Sequence, residues 1–260
     1  MPAPLVIGFE LSNDDVYAVA GYCAAEMAID QANAAGNLPV EVKLEVIVNG
    51  KNRDVARAAA SAFVEREDAI AVLGPTNSAM AVISQDIYAD AGILQLSSEA
   101  SSPLLTNKGY THFFRTVAND EVQGRALGQA AVKHIGAKRI AILNEDSAWG
   151  EPISQIFSDE ITRLGVPPVL HYGYGEKERK LQYDDLLDAV VTAVADLVYF
   201  AVYWNQSHII THLLRDRGVQ AIFLGSDALK PYAFLEVPSL DPEPPYHSLA
   251  GIDLMQKPSA

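Results

Sequence analysis

Several loops that follow short apolar runs carry residue types able to grip a small polar molecule. LSSEASSP (96–103) sets four serines and a carboxylate straight after AGILQL, and GPTNSAM (74–80) closes another apolar run. Ser78 stands at the head of a segment with helical period, so its hydroxyl and the amides around it, Asn77 included, form a donor cluster strengthened by the positive end of a helix dipole. A carboxylate can bind there without an arginine. Asp227, in GSDAL after the run AIFLG, is an acid able to face a cation. Donors on one side and an acid on the other complement a zwitterion, and an amino acid is the simplest small one. Tyr17, Trp149 and Tyr203 lie in loops of the same kind: GFELSNDDVY, NEDSAWGE and AVYWNQ. Plainer uses exist for each: Ser78 as a helix cap, the serines as a turn, Asp227 as a turn cap, the aromatics as packing. Their common place at the ends of apolar runs is what favours the ligand reading.

Catalytic patterns are absent from the sequence. There is no GxGxxG after the first apolar run, no GxxxxGK[ST] and no GxSxG. HIITH places His208 and His212 one helical turn apart but lacks the glutamate of HExxH and an evident third ligand, so a solvated or capping role is expected. Glu145 and Asp146 are expected at a rim, and EKERK (176–180) as a solvated loop.

The elements that must position these loops alternate: a short β-branched run, then a longer segment of period 3.6. Strands are predicted over 5–9, 40–48, 70–74, 93–96 and 113–116, with helices over 17–35, 53–67 and 78–90 between them. The rhythm restarts with helix 120–135, then strand 139–143, helix 151–164, strand 168–172, helix 186–194, strand 197–201, helix 206–217 and strand 221–225. This is the pattern of parallel sheets with helices on both faces, in two successive α/β halves that change over near 116–120. In such sheets ligands bind beyond the carboxyl ends of the strands, which is where the loops above fall.

Composition narrows the partners. With 49% hydrophobic and 20% charged residues the chain is globular, and 19 Lys and Arg against 33 Asp and Glu give a net charge of −14, which repels nucleic acid and anionic membranes. The single cysteine, Cys23, sits in AGYCAAEMA at helical spacing and is expected to be a buried apolar residue. No segment has 18 uninterrupted apolar residues, and MPAPLVIGF lacks the basic start and long apolar stretch of a signal peptide. The chain reads as soluble, or as the mature part of an exported protein.

In order and spacing, IGFELSNDDVY, VLGPTNSA, QDIYADAGILQLSSEASSPLLTNKGYTHFFRT, ANDEVQG, RIAILNEDSAWGE and FLGSDAL resemble the leucine/isoleucine/valine-type periplasmic binding proteins, the type I solute receptors of ABC transporters. The resemblance covers nearly all of the chain and is most specific over 86–116. It implies two Rossmann-like lobes, 1–118 and 119–247, joined by hinge strands and closing on a ligand without chemistry. It implies no cofactor, metal or catalytic residue; the partners are a small amino acid or short amide and membrane permease subunits, in an extracytoplasmic setting. Ser78, with Asn77, matches the grip on the ligand carboxylate, completed by Glu99, Ala100 and Ser101. Asp227 falls where the family places an acid on the ligand ammonium. Tyr17, Trp149 and Tyr203 fall at pocket aromatics, and Phe9 and Glu10 at the first-lobe wall.

Two departures from the family follow. Glu99 stands where small residues are common and is expected to favour a basic or amide side chain on the ligand. The chain is also shorter than the family pattern: LAGIDLM resembles the second hinge strand, 248–260 ends soon after it, and a fragment of a longer protein is expected, with helix-facing sheet surface left exposed. The other class that the resemblance admits is a cytoplasmic ligand-sensing regulator of the same fold.

Overall fold

The computed structural model describes residues 3–11, 16–175, 182–229 and 246–248. The chain divides into two compact units, Met1–Val117 and Ala118–Ala260, each with its own five-stranded sheet. EKERK, the proline-rich stretch after Leu235 and LAGIDLM lie outside the described residues.

The first unit runs β1 (Leu5–Leu11), α1 (Val16–Ala34), β2 (Val42–Val48), α2 (Arg53–Val64), β3 (Ala69–Leu73), α3 (Ser78–Asp90), β4 (Leu94–Ser97), a 3-10 turn (Pro103–Leu105) and β5 (Phe113–Arg115). Every pairing is parallel and the strand order is β2-β1-β3-β4-β5. Asparagines start the helices: Asn52 Oδ1 accepts from the amides of Asp54 and Val55, and Asn77 Oδ1 from those of Ala79 and Met80, so donors without an intrahelical partner are satisfied.

The second unit begins with α4 (Asp120–Gln129), which widens into a π-helical turn (Ala130–Ile135) where one regular helix was expected. It continues β6 (Ile140–Glu145), α5 (Gly150–Arg163), β7 (Leu170–Tyr174), α6 (Asp184–Ala193), β8 (Leu197–Ala201), α7 (Trp204–Asp216), β9 (Ile222–Gly225) and β10 (Tyr246–His247). Strand order is β10-β9-β8-β6-β7, again all parallel. β8 is buried at every position, as a strand covered on both faces must be. Its alternation is visible in the packing: Leu197, Tyr199 and Ala201 join Ile140, Ile142, Phe157 and Ile161 on one face, while Val198 and Phe200 join Leu143, Leu187 and Leu214 on the other.

The first sheet is covered less evenly. Val6, Ile47 and Val72 pack against Ala60, Phe63 and Tyr88 of α2 and α3. The register aligns Phe9 with Val46, Leu11 with Val48, Ala71 with Leu94, and Leu96 with Phe114, which makes the opposite face apolar throughout. There α1 meets Phe9, whose ring stands edge-on to Tyr22 at 5.6 Å. Val46, Val48, Leu94 and Phe114 remain 44%, 38%, 43% and 52% exposed, the open sheet surface that was expected. α1 carries apolar residues on every side, interrupted by Glu26, Asp30, Gln31 and Asn33, yet of its described side chains Ala18 is buried while Val19, Cys23 and Met27 are exposed. The expectation of a buried Cys23 is therefore wrong: a helix that meets one sheet along a single line cannot bury every apolar side chain.

Glu10 occupies the covered face of β1. It is fully buried, accepts from Tyr88 Oη at 2.9 Å and from Asn49 Nδ2 at 3.4 Å, and burial pushes its carboxyl up to about 7 against those bonds. The cluster ties β1 to α3 and to the residue after β2. Beside it Gly74, at φ +100°, passes so close that a Cβ would lie 2.5 Å from the Glu10 carbonyl oxygen, which only glycine tolerates.

Two outcomes follow. Because the folded state holds the Glu10 proton more tightly than an unfolded chain with a value of 4.5, its contribution to stability is complete below that pH and is lost as pH rises through about 7. Glu10→Gln is expected to match the wild type in urea melts at pH 4.5 and to exceed it above pH 8 by at most about 3 kcal/mol. Leu94→Lys with Phe114→Glu is expected to lower binding of a hydrophobic fluorescent dye while the thermal midpoint stays within about 3 °C.

Candidate functional site

In the first unit the carboxyl ends of β3 and β4 meet around one hydroxyl. Ser97, the last residue of β4, donates from Oγ to the Pro75 carbonyl at 3.0 Å and accepts from the amides of Ala100 at 2.9 Å and Glu99 at 3.4 Å. A second link runs from the Ser102 amide to Ser78 Oγ at 3.3 Å. Ser78, Ala100, Ser101 and Ser102 are buried, and Glu99 is half-buried. The residues expected to grip a carboxylate are thus brought together, but with divided labour. Asn77 caps α3 through its Oδ1, so it is the cap that Ser78 might otherwise have been taken for, and Ser78 becomes the first residue of the helix with its hydroxyl turned to the β4 loop. The amides of Glu99 and Ala100 are used inside the loop. Ser78 and Ser101 keep the hydroxyl hydrogens that a ligand oxygen would need.

Arg115 was not singled out in the sequence. It donates to the carbonyls of Ala100 at 3.2 Å and Ser102 at 3.0 Å and to Thr106 Oγ1 at 2.7 Å, closing the serine loop from behind. The arginine of FFRT, one strand further along the sheet, was the available signal.

Phe9 and Glu10 do not form the expected wall. They are adjacent on β1 and so point to opposite faces, Phe9 under α1 and Glu10 against Tyr88. Tyr17 lies in the first turn of α1, and its side chain is outside the described residues.

The second unit gathers its candidates on the α4–α5 side of the sheet. Ser147 Oγ accepts from the Trp149 and Gly150 amides at 3.4 and 3.0 Å and turns the chain into α5. Gly150 passes so close to β6 and β8 that a Cβ would lie 2.3 Å from the Glu145 carbonyl oxygen. This approach sets Trp149 on Tyr203, ring centroids 4.9 Å apart and tilted by 31°. Asp227 sits half-buried in the turn after β9; that turn is capped by Ser226, whose Oγ accepts from the Ala228 amide at 3.3 Å, and Ala228 packs into the same cluster as Trp149 and Tyr203. Asp146, expected at a rim, is exposed and hydrogen-bonds Glu151, pushing its carboxyl up. His208 and His212 stand ring to ring at 4.8 Å, and among the described residues no three His, Cys, Asp or Glu side chains are grouped to hold a metal. Nor is any described helix long and apolar enough to cross a membrane.

A periplasmic binding protein family model matches residues 17–231. An amino acid binding protein of Pseudomonas aeruginosa is 27% identical over 208 residues, 79% of this chain and 54% of its own. The same organism's leucine-, isoleucine-, valine-, threonine- and alanine-binding protein is 27% identical over 206 residues, again 79% of this chain and 54% of its own. The chain therefore spans about half the length of these relatives. Among solved structures, a leucine-binding protein of Thermotoga maritima superposes with a TM-score of 0.75 at 21% identity, covering 86% of this chain and 64% of that one. A branched-chain amino acid binding protein of Streptococcus pneumoniae, in complex with isoleucine, also gives 0.75 at 21%, covering 87% and 65%. With the family match running from the first turn of α1 past Asp227, and with two parallel sheets wound as the type I fold requires, the chain belongs to the periplasmic binding proteins.

Proposed function

We propose that this chain binds a small amino acid, without chemical change, for delivery to the membrane permease of an ABC-type importer outside the cytoplasm. The observation that carries the reading is the opposite polarity of the two half-sites. The first unit offers hydroxyl donors, Ser78 at the start of α3, where the helix dipole favours a carboxylate, and Ser101 in the adjoining loop after β4. The second offers Asp227, in the turn whose Ala228 packs into the cluster of Trp149 and Tyr203, an acid for an ammonium and aromatic surface for a side chain. Family membership and relatives named for amino acid binding support the same conclusion.

The mechanism is a shift of population. A ligand that touches one unit alone binds open and closed arrangements equally and shifts nothing; one whose carboxylate needs the first unit and whose ammonium needs the second stabilises the arrangement that satisfies both. Each charge-assisted contact contributes about 1.5–3 kcal/mol. Glu99, the acid of the serine loop, favours ligands with a basic or amide side chain over a branched aliphatic one.

Calorimetric titration with branched, polar, amide and basic amino acids tests this. The tightest ligand found is expected to lose at least about tenfold in affinity with Ser78→Ala and to lose measurable binding with Asp227→Ala, the fold being unchanged by circular dichroism. Unaltered affinity in Asp227→Ala overturns the reading.

A further inference from the structure

The second unit holds a concavity that none of the residues of the two half-sites lines. It measures about 550 Å³ and opens between the start of β7 and the last turns of α6. Val169 and Leu170 line it from the strand. From the helix come Asp188, Ala189, Thr192 and Ala193, which at four-residue spacing form a single stripe. Arg139, the residue before β6, closes the end where α6 stops.

This arginine is held in place, yet part of it stays open. Its Nε donates to the Val194 carbonyl at 2.8 Å and its Nη2 to the Ala193 carbonyl at 2.7 Å. The Lys138 and Arg139 amides donate to the Asp196 carboxylate at 2.8 and 3.0 Å, which fixes the backbone the side chain springs from. A guanidinium is a planar fork of five hydrogens; with Nε and one Nη2 hydrogen engaged, the end-on pair from Nη1 and Nη2 has no partner among the described residues and suits a carboxylate. Val194 takes φ 48° and ψ 51° although it is β-branched, and at 69% exposure little of its side chain packs. What the left-handed turn achieves is to aim a carbonyl at Nε, and strain of this kind is kept where it positions a functional group.

β7 supplies the remaining part. Among the described residues it is an outer strand, paired with β6 alone. The Val169 amide donates to the Ile140 carbonyl at 2.9 Å, so by the alternation of a strand the N–H and C=O of Leu170 face the open edge. A free strand edge, a helix stripe of small side chains and a carboxylate fork at the end of both are the parts that receive the last residues of an extended chain.

We propose that this groove binds the carboxyl terminus of a partner polypeptide. The terminal carboxylate meets Arg139, the backbone adds to the edge of β7, and an apolar last side chain lies against Leu170, Ala189 and Ala193. Because Arg139 stands at the start of the strands, a chain ending there runs antiparallel to β7. The stripe from Ala193 back to Asp188 rises about 7.5 Å, or two steps of an extended chain. Asp188 is exposed, 3.8 Å from Arg217, and disfavours an acid at the third residue from the terminus. A free fatty acid or amino acid satisfies the arginine but leaves the strand edge unpaired, so a polypeptide fits better. The assignment is independent of the amino acid reading.

Fluorescence anisotropy of the whole chain tests it, with labelled pentapeptides ending in leucine, valine or phenylalanine and carrying lysine at the third residue from the end, each as free acid and as C-terminal amide. At least one free acid is expected to bind with a Kd below about 1 mM, and at least about tenfold more tightly than its amide. Arg139→Gln is expected to bring the two forms within about twofold of each other. Thr192→Trp changes an exposed helix position and fills the groove; it is expected to weaken the free acid at least about tenfold, and it carries the readout should Arg139→Gln not fold. Absence of binding by every free acid overturns the assignment, as does equal binding of acid and amide by the wild type. Unchanged affinity in Thr192→Trp places the peptide elsewhere and overturns it too.

Discussion

The Ser97 hydroxyl is the contact on which the first half-site depends. It donates to a carbonyl of the β3 loop and accepts two amides of its own loop, so one side chain fixes the distance between the loops that follow neighbouring strands. That fixed distance lets the Ser102 amide reach Ser78 on α3, and Arg115 then holds the loop carbonyls from the far side. The serine-rich end of a buried strand is in this light a scaffold and a source of donors at once: the Ser97 hydroxyl and the Ser102 amide build the loop, while Ser101, with Ser78 on α3, keeps a hydroxyl hydrogen. Backbone amides alone could not do both, because those of Glu99 and Ala100 are consumed in holding the loop.

The second half-site is organised by close approach. Gly150 lets the start of α5 settle against the carbonyls at the ends of β6 and β8, and no residue with a side chain fits there. Trp149 and Tyr203 are brought into contact by this approach and form one wall of a cluster that reaches Ala228 and, on the buried side, Tyr199. Hydroxyl and amide groups dominate the serine loop of the first unit, where Glu99 is the one carboxylate, while the second unit sets Asp227 in a turn whose Ala228 packs with aromatic rings.

The apolar face of the first sheet is only partly covered. Val46, Val48, Leu94 and Phe114 have the composition of residues made to be covered, and α1 reaches only the part of that face around Phe9. The second sheet, whose helices pack on both faces, buries the equivalent positions of β8 completely. Glu10 shows the cost accepted on the covered side: a carboxyl placed under α3 to tie three elements together, protonated more readily for being there.

The sequence by itself determined the strand–helix alternation, the parallel sheets and the family, because hydrophobic period and turn residues are local properties and the loop motifs keep their spacing whatever their surroundings. The helix starting at Ser78 and the strand 197–201 are legible in this way to the residue. What the tertiary structure alone decided is which atoms are already spent. Asn77 rather than Ser78 caps α3; Glu10 turns to the core instead of the loop end; Cys23 lies open on a helix whose composition argued for burial; Arg115, from a strand read only as a strand, closes the serine loop. Each of these outcomes turns on a direction or a partner distant along the chain, and neither quantity is carried by residue type and spacing.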